Sequence, residues 1–392
     1  MISDAEFSDW LIDSSAIRCV LVDANPIISG SSTPFYLSSR IFSDEENSLQ
    51  YDPYIIGRSL QVIEKIPFNS ASSISFGDVA IDNTDESRDQ WLNYVWSNTN
   101  IIARVGDIRW NKSDFRIILN GVVEDIFSAD PFTLNLKIRD KLQRLNAAIT
   151  EEKLGGSTRN KDLLIPLAFG EVFNVSPLLT NPATLEYQVH NGAVEAIKEV
   201  RDNGVPVSFT PNISTGKFTL SASPFGKITA SVQGDKPSAW NKTVKNIIER
   251  LVKNYGESNN QFTSGDIDSS NLSAFESSNS QPVGLSINTS RQNLLLTCES
   301  LADTLGAKMV MSRTGLLQLI KIHLPAPGTP FDIDKTDIVA DSLKVITKLP
   351  VIAAQKLGFV KNWTKQESLE TGRPTEHKDI LATEWQTITK TD

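Results

Sequence analysis

Apolar residues recur along this chain at two spacings, and the spacing changes where turn residues intervene. Residues 290–323 show both in succession. Leu294, Leu295, Cys298, Leu301, Ala302 and Leu305 fall on one helical face; Thr289 or Ser290 caps the start and Gly306 ends it. Residues 307–312 then predict a strand, Arg313-Thr314-Gly315 a tight turn with glycine supplying positive φ, and 316–322 a returning strand with Leu317 and Leu319 on one face. Leu301 and Leu305 are expected in the core of this unit.

Upstream the period is two. Residues 16–22, 55–66, 74–81, 101–108, 115–127 and 133–139 predict strands, the last with Leu134, Leu136 and Ile138 on one face against Asn135, Lys137 and Arg139. Across Gly77 the apolar phase slips from Ile74 and Phe76 to Val79 and Ile81, which predicts a bulge. Residues 89–96, with Trp91, Leu92, Val95 and Trp96, predict a short amphipathic helix between strands. Gly155-Gly156 marks a joint, and turn signals from 163 to 234 predict a second β unit in which Phe218, Leu220 and Ala222, then Ile228, Ala230 and Val232, alternate.

Ser238 is expected to cap a helix with Trp240, Val244, Ile247, Ile248, Leu251 and Tyr255 on one face, ending at Gly256. The Ser- and Asn-rich stretch 256–282 reads as a loop, 283–287 as a strand, and the polar tail from 358 as mixed, with a helix over 374–385. No exact internal repeat is visible. The expected architecture is mainly β with an α+β part: tandem β-barrel-like or meander units at 1–154 and 155–237, an α+β domain at 238–350, and a C-terminal segment at 351–392.

Composition narrows the function. No apolar run approaches the roughly 18 residues of a spanning helix, and Asp4, Glu6 and Asp9 near the start do not make a secretory leader, so the chain reads as soluble and cytoplasmically made, without membrane insertion. A net charge of −9 argues against a general grip on nucleic acid through phosphate neutralisation. Only two cysteines occur; Cys298 falls on a helical apolar stripe, and both Cys19 and Cys298 are expected as buried, reduced thiols.

Candidate chemistry is sparse. His190, His323 and His377 lack a second His or Cys at ligand spacing, and no Walker loop, nucleophile elbow or H-E-x-x-H is present. The carboxylates of Asp78, Asp82, Asp85 and Glu86 would suit a glycosidase if two stood the right distance apart, but Asp82-Asn83-Thr84-Asp85 is equally a turn whose side chains bond their own backbone, and the turn is preferred. Asp332-Ile333-Asp334 does not continue as a calcium loop. Of Trp91, Trp96, Trp110 and Trp363, which could stack on sugars, the first two are assigned to the core, while Trp110, in the turn region 109–114, is a candidate exposed contact. The expectation is thus no catalytic residue, no cofactor and no metal: not an enzyme.

Three groups of segments carry a resemblance: ISFGDVAIDN at 74–83 with GDIRW at 106–110 and FRIILNGVVEDI at 115–126; PLAFGEVFNVSP at 166–177 with YQVHNG at 187–192 and FTLSASPFGKIT at 218–229; and LADTLGAKMVMSRTGLL at 301–317. Together the chain resembles tail-tip or baseplate hub proteins of long-tailed bacteriophages. The resemblance implies a structural virion protein, a homo-oligomeric ring with a trimer favoured. Such a ring closes the distal tail tube, passes DNA, and meets the distal tail protein, tape measure and a spike or fibre. Alternatives are a sixfold distal tail adaptor, or a cell-wall hydrolase or carbohydrate-binding tail protein. A DNA-passing wall should be acidic or neutral, which puts Lys137, Arg139, Lys242 and Lys245 at contacts or on the outside. The resemblance supplies no catalytic residue, and the chain ends at Asp392, where further strands would be expected.

Overall fold

The computed structural model describes residues 2–57, 59–63, 76–321, 333–336, 338, 354–366, 369 and 374–391. Alternating strands dominate them, so the fold is mainly β with a few helices. Two compact units emerge, and both are interleaved in sequence: the first takes Met1–Glu151, Thr243–Ser280 and Arg291–Ile320, the second Glu152–Lys242, Gln281–Ser290 and Lys321–Asp392. No helix of the described residues is long and apolar enough to cross a membrane.

The first unit opens with α1 (Asp4–Ile12), followed by β1 (Arg18–Ala24), β2 (Phe35–Ser38), β3 (Gln61–Ile63), β4 (Phe76–Asp82), β5 (Asn100–Asp107), β6 (Arg116–Asp130) and β7 (Thr133–Arg139). These strands form one antiparallel sheet in the order β2-β1-β5-β6-β7-β4-β3. Leu134, Leu136 and Ile138 are buried with Val79, Ile81 and Ile101 on one face, as alternation requires; each such side chain stabilises by about 1.5–3 kcal/mol. Cys19, Leu21, Phe42, Tyr51 and Phe115 form a separate buried cluster.

Sequence and structure part at several places here. Of residues 55–66, Gln61–Ile63 pairs with β4 and Ile55 makes an isolated bridge to Ile81, while 64–66 lies outside the described residues. β4 keeps one register against β7 with no bulge at Gly77; Ile74 lies outside the described residues. Gly77 is instead a site of close approach, since a Cβ there would stand 2.0 Å from the Gln61 carbonyl oxygen. Residues 89–96 wind only a 3₁₀ turn, Asp89–Asn93; Trp91 and Trp96 are buried, but Leu92 and Val95 are exposed.

Three helices complete this unit. α2 (Val244–Asn254) buries Val244, Ile247, Ile248 and Leu251, but its cap is Thr243 rather than Ser238. Asn241 is tied to Asp235 through its amide, so the chain turns into a helix only after it and Trp240 stays outside. α3 (Ser269–Ser278) lies where a loop was expected: Asp268 accepts from the Asn271 N–H, and Leu272 and Phe275 supply a buried face too narrow to stand out among serines. α4 (Leu294–Asp303) starts later than expected because Ser290 is folded onto Asn288, and Asn293 takes the cap. Leu301 is buried; Leu305, beyond the helix, is only half-buried. The hairpin of Ala307–Met311 and Leu317–Lys321 follows, with Gly315 at φ +78°; the main chain of Arg313 and Thr314 accepts bonds from Asn120 on β6. Ile322 lies outside the described residues.

The second unit contains β8 (Leu167–Val175), β9 (Leu178–Asn181), β10 (Glu186–Gln188), β11 (Val194–Asp202), β12 (Val205–Pro206), β13 (Phe209–Asn212), β14 (Lys217–Leu220), β15 (Ile228–Asp235) and β16 (Gly284–Ile287). They form two antiparallel sheets, β12-β11-β15-β8-β16 and β9-β10-β14-β13. Val172, Val200, Phe218, Leu220, Ala230 and Val232 share their core. Near the C-terminus, β17 (Ala354–Phe359) pairs with β18 (Gln386–Thr391), and α5 (Thr375–Ala382) lies between them in sequence.

Candidate functional site

The acidic loop of the first unit is built as a turn. Asp82 accepts from the Thr84 N–H and hydroxyl at 3.0 and 2.8 Å, and Asp85 from the Ser87 hydroxyl at 2.9 Å and the Arg88 guanidinium at 2.5 Å. These donors hold both carboxyls below their usual pKa, so each is an anion locked to its own loop. Asn83 donates to Asp89, and Asp78 sits on β4 opposite Gln61 and Lys137. A general acid needs its carboxyl pKa raised, and the donors to Asp82 and Asp85 do the reverse for these two.

Trp110 is half-buried rather than an exposed platform, because α1 covers it. Its ring centroid lies 4.8 Å from Trp10 and 6.2 Å from Phe7. The Trp10 indole donates to Asp107 at 2.9 Å, and Asp107 also accepts from the Ile17 N–H and the Arg109 side chain. Arg109 and these neutral donors, outweighing burial, hold the Asp107 carboxyl far below the usual carboxylate range. The signal for α1 was present as Ser3-x-x-Glu6, which closes a capping box.

Both cysteines are buried and free, and burial pushes both thiols up. His377 lies 3.3 Å from the Gly204 carbonyl oxygen; His323 and Asp332 fall outside the described residues, and Asp334 accepts from Thr336. Trp363 carries Lys361 at 4.4 Å from its ring centroid. Among the described residues no group of three or more His, Cys, Asp or Glu side chains is placed to hold a metal.

One pairing had no sequence signal. His190 is buried, with Nε2 3.2 Å from Asp235 Oδ1, and its Nδ1 faces the Ala168 N–H at 3.1 Å. An amide only donates, so Nδ1 accepts and the ring proton sits on Nε2 towards Asp235. Both nitrogens are used inside the protein, which leaves none for a substrate. A cleft of the first unit, about 730 Å³, is lined by Asn146, Glu151, Gly256, Glu257, Arg291 and Asn293 among others. Its two carboxylates are occupied, Glu151 by Arg291 and Glu257 by Asn260.

The cations singled out in the sequence are also engaged within the chain. Lys137 and Arg139 face Glu124 at 3.7 and 2.7 Å, Lys245 bridges Glu249 and Glu276, and Lys242 lies over the Trp240 ring.

What the second unit presents outward is an aromatic ring. Phe225 is 99% exposed. Its turn is fixed from below: Asp202 accepts from the N–H groups of Phe225 and Gly226 at 2.6 and 2.8 Å, and Asn203 from that of Lys227 at 3.0 Å. Gly226 packs so closely on the Asn203 side chain that a Cβ would overlap it. The ring is therefore held out by a rigid support, which makes the turn a candidate interaction site.

No family model matches this chain, and no curated protein is similar to it. Among solved structures it is similar to a chain from the virion of a native gene transfer agent particle, with 8% identity over 58% of this chain and 84% of that one and a TM-score of 0.29. It is also similar to the 43 kDa tail protein of prophage MuSo2 from Shewanella oneidensis, with 10% identity over 96% of this chain and 69% of that one and a TM-score of 0.34.

Proposed function

We propose that this chain is a structural protein of a phage tail, a ring-forming hub subunit that closes the distal tube, anchors spike or receptor-binding parts and lets DNA pass. Phe225 is the observation that carries the reading. Exposed apolar residues are common, but a fully exposed ring on a turn clamped by Asp202 and Asn203 has the form of a docking anchor. Prior ordering of the turn lowers the entropy lost on association. The resemblance of several segments to hub proteins supports the reading, and one of them, FTLSASPFGKIT, contains this turn.

Under this reading the protein acts through contacts rather than turnover. The wall facing DNA is acidic or neutral, so that the duplex passes without counterion-releasing contacts. Imaging of the assembled species by cryo-electron microscopy tests it. Three copies in a closed ring are expected; six would make the chain a distal adaptor, and a chain monomeric at every concentration, or a lumen lined mainly by Lys and Arg, would sink the proposal. Purified cell wall should stay intact in its presence, and lysis abolished by Asp82→Asn would move the protein to the hydrolases.

A further inference from the structure

β17 and β18 form a ribbon with its sides in solvent. All six residues of β17 are exposed, as are Thr387, Ile388, Thr389 and Lys390 of β18. Register sets Leu357 opposite Ile388 and Phe359 opposite Gln386, and opposed residues of antiparallel strands share a face. Leu357, Phe359 and Ile388 therefore lie on one side together with Gln355, Gln386 and Lys390, and Lys356, Gly358, Thr387 and Thr389 lie on the other. All three large apolar residues of the ribbon thus fall on one side, yet they are 40%, 50% and 53% exposed.

The base of the ribbon is fixed. Asn362 donates its N–H to the Glu384 carbonyl at 2.8 Å and its side-chain amide to the Leu381 carbonyl at 2.7 Å, and the Trp363 N–H reaches the Phe173 carbonyl on β8 at 3.1 Å. The Lys361 ammonium lies 4.4 Å over the Trp363 ring and 5.0 Å over Trp385. An isolated two-stranded ribbon is marginal in water at best. Here one end is clamped to a sheet while the apolar side chains stay 40–53% exposed.

We propose that this ribbon is an assembly arm whose apolar face is covered by a second copy of the chain. Charge selects that occupant. The two strands carry Lys356 and Lys390 and no carboxylate, whereas the chain as a whole is at −9, so an arm is repelled by another arm and attracted to the acidic remainder of a neighbour. The neighbouring copy offers exposed apolar residues, Ile27 and Val95, bridged to each other, and Leu92 and Val95 come soon after Asp82, Asp85 and Glu86 in sequence. Such a contact joins unlike surfaces, the kind that closes rings. Only the choice of a second copy rests on the proposed function.

Sedimentation and native mass measurements on the full-length chain test the arm. Phe359→Ser, and separately the double change Lys356→Glu with Lys390→Glu, should weaken self-association by about tenfold or more, with an unchanged circular dichroism spectrum. Adding Glu86→Lys to the double change should recover part of the lost association, with Asp85 kept because it holds the buried Arg88. If the variants assemble as tightly as the parent, the arm is overturned while the ring stands. If the parent never self-associates, both fall. If the arm binds another virion protein instead, the choice of occupant is wrong.

Discussion

β7 and β17 are short strands with the same apolar alternation and opposite fates. In β7, Leu134, Leu136 and Ile138 are buried within a sheet of seven strands; in β17, Leu357 and Phe359 face water with one partner strand beside them. Alternation states which side of a strand has to be covered. It does not state whether the cover comes from the same chain. β7 is covered from within its own chain, by a cluster that includes Ile55, Trp91 and Trp96, and β17 is the place to look for cover from outside.

The largest expected effect lies on the β7 side of this comparison. Leu136→Ala should cost about 2–5 kcal/mol in chemical denaturation, as should Leu301→Ala, with Leu305→Ala well below both because it is half-buried. If Leu136→Ala cost no more than Leu357→Ala, the two strands would not differ in the way described.

An intermediate effect is expected from acid. The Asp107 pKa is lower in the folded chain than in the unfolded one, so its stabilisation is complete above about pH 4 and is lost as pH falls through the acid range towards the folded value. Tryptophan fluorescence should report release of Trp10 from Asp107 over that range. Asp107→Asn should show a weakened α1 contact already at neutral pH and a flatter acid profile, and an unchanged profile would mean that the carboxylate does not hold α1.

The smallest effects belong to the exposed sites. Phe225→Ser should change the stability of the isolated chain by less than about 0.5 kcal/mol because the ring has almost no burial to lose, and Leu357→Ala should cost well below Leu136→Ala, at about 1 kcal/mol or less. A loss of several times that size would show that these residues already pack against something within the chain. For Phe225→Ser, binding to virion partners should fall while the melting temperature holds.

Period and turn chemistry together made much of the fold legible. Residues 133–139 match the strand to the residue, and Gly315 and Gly306 mark a turn and a helix end with positive φ. Boundaries failed where side chains had nearer uses: Ser290 on Asn288, and Asn241 on Asp235, each moving a helix start downstream. α3 was obscured because only Leu272 and Phe275 carry its face, and α1 because its capping box is short and its apolar residues few. Among the candidate residues, the acidic loop was readable as a turn from Asp-x-Thr and Asp-x-Ser spacing. The His190–Asp235 pair was not, since strand pairing brings together residues far apart in sequence. Nor does sequence distinguish Phe225 on a clamped turn from a buried phenylalanine; its exposure follows from the bonds that Asp202 makes to the backbone.

The interleaving of the first unit has a consequence in time. Asn120 on β6 reaches Thr314, 194 residues further along, and the helices that complete this unit come after the first long stretch of the second. On the ribosome, residues 152–242 emerge before the first unit can close, so the seven-stranded sheet waits, unfinished, for α2–α4 and the hairpin. Contacts of such separation are slow to form, and the waiting strands are open to wrong partners. The first unit therefore starts first yet closes only at about residue 320, and the second waits for residues 321–392; truncation near residue 290 should leave aggregation-prone N-terminal strands, although all seven have already been made.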